Sequence, residues 1–320
     1  MDIEFHYYIT YIIALRAGFR HDDAHIIAYS SQYVDDNNTI YEISDDNGNI
    51  YQNYISQTMN ILKPKKELMR IYPIFHFMPG ITEDITGDSS RRCDGKLHLL
   101  NTIPDNQNAQ RLLQTAFDSN DPYRIGIATH MYSDTFAHQN FVGYYDAFNS
   151  MAGLLEAASP DIGHADAKHS PDWPALKWKD ERLIPSHSEI DNKKRFIEAA
   201  GFLFDRYCSF TGSKAQDRGS LMAELDKAIG EYNEMNEQRD IRIDRYKTII
   251  GEGFIDYDAD AWFKEAVSKR IGFFKWNYKS KENFQESRWF KFHEAVKAHQ
   301  KEAKDVVLKP VFDSMELKNL

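Results

Sequence analysis

Ile9, Ile12, Ile13 and Ala17 recur with helical spacing, which predicts a first helix over residues 3–18 with Gly18 as its stop. A second helix over about residues 22–35 turns Ala24, Ile27, Ala28 and Val34 inward and keeps acidic residues in its first turn, where the helix dipole favours them. It ends at the polar run Asp35-Asp36-Asn37-Asn38. Around Asp46-Asn47-Gly48-Asn49 the period changes: Tyr41 and Ile43 alternate with Ile40 and Glu42, and the turn residues predict a β-hairpin excursion over 39–56. Residues 105–118 form an amphipathic helix, and Asp121-Pro122 opens the next one with Asp121 as its cap. A short apolar helix over 147–158, with Met151, Leu154 and Leu155, precedes a proline-rich loop over 159–185. From Ser186 onward, segments near 189–210, 217–236, 240–251, 258–271 and 286–308 read as amphipathic helices. The pattern predicts an all-α, multi-helix bundle around a buried site. Residues 1–185 make its core, and 186–320 a helical extension packed on it, with a soft boundary between them.

The stretch Tyr123–Asp146, YRIGIATHMYSDTFAHQNFVGYYD, stands apart. Between Arg124 and Asp146 its only formally charged residue is Asp134, set among Ile125, Ile127, Ala128, Met131, Phe136 and Phe141. Helical positions four apart advance by about 40°, so His130, Asp134 and His138 share one face. A carboxylate in such a buried helix must be paired, be protonated or bind a metal. The two flanking imidazoles favour a metal, with N and O ligands of the kind zinc takes.

Composition narrows the reading. At 320 residues with 42% hydrophobic and 28% charged positions, the chain has an ordinary globular make-up. Its net charge of -10 argues against a stable nucleic-acid complex, which needs a basic face. Cys93 and Cys208 imply neither a disulfide framework nor a zinc-type pair. The opening MDIEFHYYITYIIALRAG lacks the basic and apolar regions of a signal peptide, and no apolar run reaches a membrane span. A cytoplasmic protein is expected, with export by a leaderless route left open.

Further candidate ligands lie outside the central helix. His6 sits near the start of the first helix, and an antiparallel second helix would bring Asp35 or Asp36 to it. His76 lies in the apolar run IYPIFHFMPG. The proline-rich loop carries His164, Asp166, His169 and Asp172, of which His164 is the stronger ligand candidate. His21 and His25 have helical metal-pair spacing, yet their setting among Arg20, Asp22 and Asp23 reads as a solvated helix start. Arg91 and Arg92 are placed to meet a phosphate or to form a surface pair, and His98 is ambiguous. His293 and His299 fall on the polar side of the last helix, whereas Trp289, Phe290, Phe292 and Trp262 read as core.

The segment HMYSDTFAHQNF resembles the metal-binding helix of the zinc-dependent phospholipase C and single-strand nuclease superfamily. The resemblance implies an all-helical fold that holds a zinc cluster, with His6, then Asp35 or Asp36, then His76, in the family's order. His130 and Asp134 match the helix pair, His164 would be the late ligand, and Asp172 would support it. The opening FHYYITYIIALRAGF and SQYVDD also resemble a bacterial family of uncharacterised proteins with the same His-Asp-His helix. The phospholipases and nucleases use a mature amino terminus as a ligand after a leader is removed, whereas this chain has Met1 and no leader. Their third helix ligand also lies farther along than His138, which suggests one or two metals here.

These readings lead to a metal-dependent hydrolase of a phosphoester, a small molecule or a lipid headgroup. Zinc, manganese or iron would be its cofactor, and Asp134 and Asp36 its candidate catalytic carboxylates. An HD-type phosphohydrolase using His21 and Asp22 is an alternative enzyme. A noncatalytic helical interaction protein with a structural polar cluster is the alternative outside enzymes.

Overall fold

The computed structural model describes residues 1–58, 68–81, 92–151, 162–214, 217–271 and 276–310. Two expectations lie outside the described residues: Arg91, and the helix over 147–158 beyond Met151. Most of what is described is helical.

The first helix, α1, begins as π-helix over Glu4–Ile9 and continues as α-helix over Thr10–Arg16. It stops at Gly18, whose φ of 90° suits glycine. Helix α2 (His21–Asp36) runs back antiparallel to it, and a short helix α3 (Tyr72–Phe75) carries Pro73 in its first turn. Helix α4 (Gln107–Asp118) is capped by Asn106, whose side chain accepts from the Ala109 amide. The central helix α5 (Pro122–Ala137) starts as expected, with Asp121 accepting from the Tyr123 amide. All its residues are buried except Pro122 and Arg124.

The central helix is shorter than its apolar pattern suggests. It ends at Ala137, and His138 is its C-cap, donating its amide to Asp134 O. The chain then leaves through Asn140 at a φ of 68°. A short 3₁₀ turn, Ala147–Asn149, follows.

The hairpin forms where expected, as β1 (Glu42–Ser44) and β2 (Ile50–Gln52), with Ile43 opposite Tyr51. In the second half of the chain, β3 (Lys177–Lys179) pairs with β4 (Glu189–Asp191), and α6 (Asn192–Thr211), α7 (Arg218–Ile229) and α8 (Arg239–Ile250) follow. The helix expected over 258–271 is confined to α9 (Ala261–Ala266). From Val267 the chain turns into strand β5 (Val267–Ile271), which pairs with β6 (Trp276–Ser280). Strand β6 lies parallel to β1, giving a four-stranded sheet in the order β2-β1-β6-β5. A pairing over more than 200 residues of sequence leaves no local signature.

The last helix, α10, runs as α-helix over Arg288–Glu302 and as π-helix over Ala303–Leu308. Here His293 and His299 are buried rather than on a polar face: His293 packs on Trp289, and His299 stacks on Phe75. One hydrophobic cluster takes in residues from Met1 to Leu308, so the helices after Ser186 share the core of those before it. No described helix is long and apolar enough to cross a membrane.

Helices α2 and α5 pack closely enough that a Cβ on Gly126 would stand 2.4 Å from the Ile27 carbonyl oxygen. That contact sets the end of α2, with Asp35, against the His130 face of α5.

Candidate metal centre

Five segments bring candidate ligands together at one end of α5. His6 comes from the π-helical turn of α1, Asp35 from the last turn of α2, and His76 from the residue that caps α3. His130 and Asp134 come from α5, His138 from its cap, and His164 and Asp172 from the loop before β3. Asp134 is at the middle. Its Oδ1 lies 3.2 Å from His6 Nε2 and 2.5 Å from the Met1 amine. Its Oδ2 lies 3.3 Å from His76 Nδ1, 3.2 Å from His130 Nε2 and 3.6 Å from His138 Nδ1.

Among the described residues the donor atoms fall into three groups: His6, His130 and Asp134; Asp35, His76 and His130; and His138, His164 and Asp172. His6 Nε2 lies 4.0 Å from Asp35 Oδ2, so the antiparallel packing of the first two helices joins these residues as expected. Asp172 Oδ1 is 3.1 Å from His138 Nε2, and Oδ2 is 3.5 Å from His164 Nε2.

The histidines are held in a way that decides which nitrogen faces inward. His130 Nδ1 is 2.8 Å from Ser31 O, and His76 Nε2 is 2.9 Å from Ser56 O. His138 Nδ1 is 2.8 Å from His76 O, and His164 Nδ1 is 2.7 Å from Lys168 O. Each of these nitrogens must carry the proton it donates to its carbonyl, so the opposite nitrogen of a neutral ring presents a lone pair. For His76 and His130 those opposite nitrogens face each other at 3.0 Å. Two lone pairs at that distance repel unless a cation, proton or metal, lies between them. Backbone anchoring of the far nitrogen is also the usual support of a metal-bound imidazole. His6 is fully buried, and among the described residues its Nε2 meets Asp134 Oδ1 at 3.2 Å without hydrogen-bond geometry, which a metal on Nε2 would resolve for that atom. The donor set therefore fits a divalent cation that takes nitrogen and oxygen ligands.

Electrostatics agree with the geometry. Burial by itself raises a carboxyl pKa, but His138, the Met1 amine, His130 and His6 hold Asp134 well below its ordinary range. Burial raises Asp35 against the pull of His130 and His76. It also lowers His6 well below the usual imidazole value, and His138 to about 4. The Met1 amine is opposed by burial, but Asp134 and Asp172 raise it to about 11. The neutral His6 and His138 rings and the ionised Asp134 are the forms that bind metal, whereas the Met1 amine is an ammonium paired with Asp134 and Asp172 and would have to release its proton to become a ligand.

Packing gives Asp35 and Asp36 different surroundings. Asp35 joins the group, while Asp36 Oδ2 accepts from Tyr257 Oη at 2.6 Å and from Gln32 Nε2 at 3.2 Å. Asp36 still lines the cavity over the centre, about 730 Å³ in volume, as do Lys168, Trp173, Arg239 and Tyr257. His169 is exposed and stacks on Trp173, outside the three groups. His21 contacts Tyr11 Oη at 3.2 Å and, with Asp22, also lies outside the three groups found among the described residues. His98 faces Asp146 at 3.5 Å, and Arg92 binds Asp94 and Phe148 O.

Sequence reasoning missed two participants. The Met1 amine was set aside for want of a leader, yet it sits between Asp134 and Asp172, the latter 3.3 Å away. Asp172 enters the sequence reading only as support for His164, yet its two oxygens face His138 and His164. A buried, acid-flanked start, MDIEFH, was the one signal that could have drawn attention to the amine.

A model of a family of unknown function, DUF6765, matches residues 1–307. Comparison with curated proteins and with solved structures finds no match.

Proposed function

The chain belongs to DUF6765, a family of unknown function, and for this member we propose a metal-dependent hydrolase that cleaves a phosphoester. The observation that carries the proposal is the set of four histidines anchored through one nitrogen to backbone carbonyls, with the other nitrogen turned toward Asp35, Asp134 or Asp172. Asp35, His76, His130 and Asp134 would hold one divalent ion, zinc or else manganese or iron. His138, His164 and Asp172 would hold a second, and His6, Asp134 and the Met1 amine a third. Two of the three groups share His130, so two to three ions would be held, against the one or two suggested by the chain's departures from the phospholipase and nuclease pattern.

Bound metal would supply a water of lowered pKa and positive charge for phosphoryl oxygens. The protein's own residues divide the remaining work. Asp134 offers one oxygen to the His6 side and the other to the His76, His130 and His138 side, which suits a bridging carboxylate. The backbone anchors keep the rings from turning when the centre is loaded. The cavity admits an ester of small-molecule or lipid-headgroup size, and Lys168 and Arg239 on its wall add positive charge to a site rich in carboxylates. Asp36, held by Tyr257 and Gln32 on the same wall, is placed to take a proton or to orient water.

The test combines metal analysis by mass spectrometry with hydrolysis of chromogenic phosphomonoesters and diesters. The expected result is two to three ions per chain and turnover that is abolished by chelator and restored by zinc or manganese. A protein purified and reconstituted in zinc that retains no metal would refute the site. Metal without hydrolysis of any ester would make the centre structural.

A further inference from the structure

Glu4 and Arg242 are both fully buried, and the guanidinium of Arg242 grips the Glu4 carboxylate with two hydrogen bonds, Nε to Oε2 at 2.8 Å and Nη2 to Oε1 at 2.7 Å. Glu4 is the first residue of the π-helical turn Glu4–Ile9, and Arg242 lies in the first turns of α8, which packs against it. The same short segment carries two groups of the centre, Met1 three residues before Glu4 and His6 two residues after it. Both present nitrogen to one oxygen, Asp134 Oδ1. Within the segment the Phe5 and His6 amides donate to Asp2 O at 3.0 Å and the Glu4 amide to Asp2 Oδ1 at 3.0 Å, while Tyr7 Oη, farther along, donates to Ile255 O at 2.5 Å.

Resting on the reading of this cluster as a metal centre, we infer that the Glu4–Arg242 pair is a positioning clamp that holds the amino-terminal arm, so that the Met1 amine and His6 reach Asp134 together. A buried ion pair is a poor source of net stability, because desolvation of both charges offsets their attraction, and apolar replacements are often neutral. What such a pair supplies is geometry. The two parallel bonds fix both the position and the rotation of the carboxylate that receives them. The backbone bonds among residues 2–6 are local and do not fix the segment against α5. The π-helical turn places Glu4 toward α8 while His6 faces α5, a widening of the helix that recurs at functional sites.

The double variant Glu4→Gln with Arg242→Met removes the clamp without leaving an unpaired buried charge. The Met1 amine, buried in the parent, serves as the reporter through its acetylation by acetic anhydride, followed by peptide mass spectrometry. In a double variant that keeps the parent's circular dichroism, the amine is expected to be acetylated at least tenfold faster. Zinc titration is expected to show one ion fewer per chain. Unchanged protection of the amine in a folded double variant would overturn the inference. If the double variant does not fold, Arg242→Lys decides: it keeps the charge and loses the fork, and amine labelling at the parent's rate would overturn the inference equally. Labelling is read with chelator present as well as with zinc. A parent that binds no metal therefore sinks the metal centre while the clamp is still judged on its own result.

Discussion

Replacing Gly126 by alanine tests how the centre is assembled. Alanine is the better helix former, and in an open helix interior it adds about 1 kcal/mol of stability. At this position the new Cβ meets Ile27 O at 2.4 Å and Ser30 Cβ at 2.6 Å, about 1 Å inside ordinary contact. Both obstacles belong to α2, so that helix must retreat by roughly the same distance, and overpacking of this kind costs about 1–3 kcal/mol. The retreat acts on the Ser31 carbonyl, which accepts from His130 Nδ1 at 2.8 Å. An added 1 Å would take that bond outside hydrogen-bonding range. A buried imidazole that loses its acceptor adds about 1–3 kcal/mol. Net destabilisation of about 1–5 kcal/mol is expected, read from urea unfolding in chelator. Zinc affinity of the Asp35, His76 and His130 group is expected to fall at least tenfold, because Asp35 moves with α2. The sign is decisive: a Gly126→Ala protein as stable as the parent or more so, with unchanged zinc affinity, would refute the claim that close packing of α2 on α5 builds the site.

Asp134→Ala should lose at least one ion per chain and cost about 3–5 kcal/mol in the metal-free protein, since the Met1 amine and the surrounding imidazoles lose their shared counter-charge. Mass spectrometry and urea unfolding measure the two effects, and full metal content would contradict a bridging role. Adding one alanine ahead of Met1 converts its amine to an amide that neither pairs with Asp134 nor binds metal, so one ion per chain should be lost while the other two remain. Retention of all ions would remove Met1 from the ligand set. A pH effect is expected away from the centre: burial lowers His299 to about 4, against an unfolded value of about 6.5. The unfolded chain binds the proton more readily between these values, so this contribution is complete above about pH 6.5 and lost as pH falls toward 4, roughly 3 kcal/mol in all. His299→Phe should therefore flatten the fall in metal-free stability between pH 7 and 4.5, and an unchanged slope would show that His299 is not held neutral.

How much of this was legible in the sequence depended on the range of the interactions involved. Helix caps, the hairpin turn and the buried character of α5 are decided by residues within a few positions of one another. Asp121, the Asp46–Asn49 turn and the apolar run around Asp134 accordingly pointed to the right elements. The candidates His130, Asp134, His6, His76 and His164 were legible as well, as polar groups in apolar or loop settings. Other outcomes required the folded chain. Asp35 and Asp36 are adjacent and chemically alike, and only the rotation of α2 against α5, with Tyr257 arriving from beyond α8, sends one to the metal groups and the other to a tyrosine. The same holds for the burial of His293 and His299, the parallel pairing of β1 with β6, and the grip of Arg242 on Glu4. Each joins segments far apart in the chain, where closure entropy is overcome only by the packing of the whole core. The sequence by itself determined which side chains had to find partners. The tertiary structure decided which partners they found, and with them the place of Met1 at the centre.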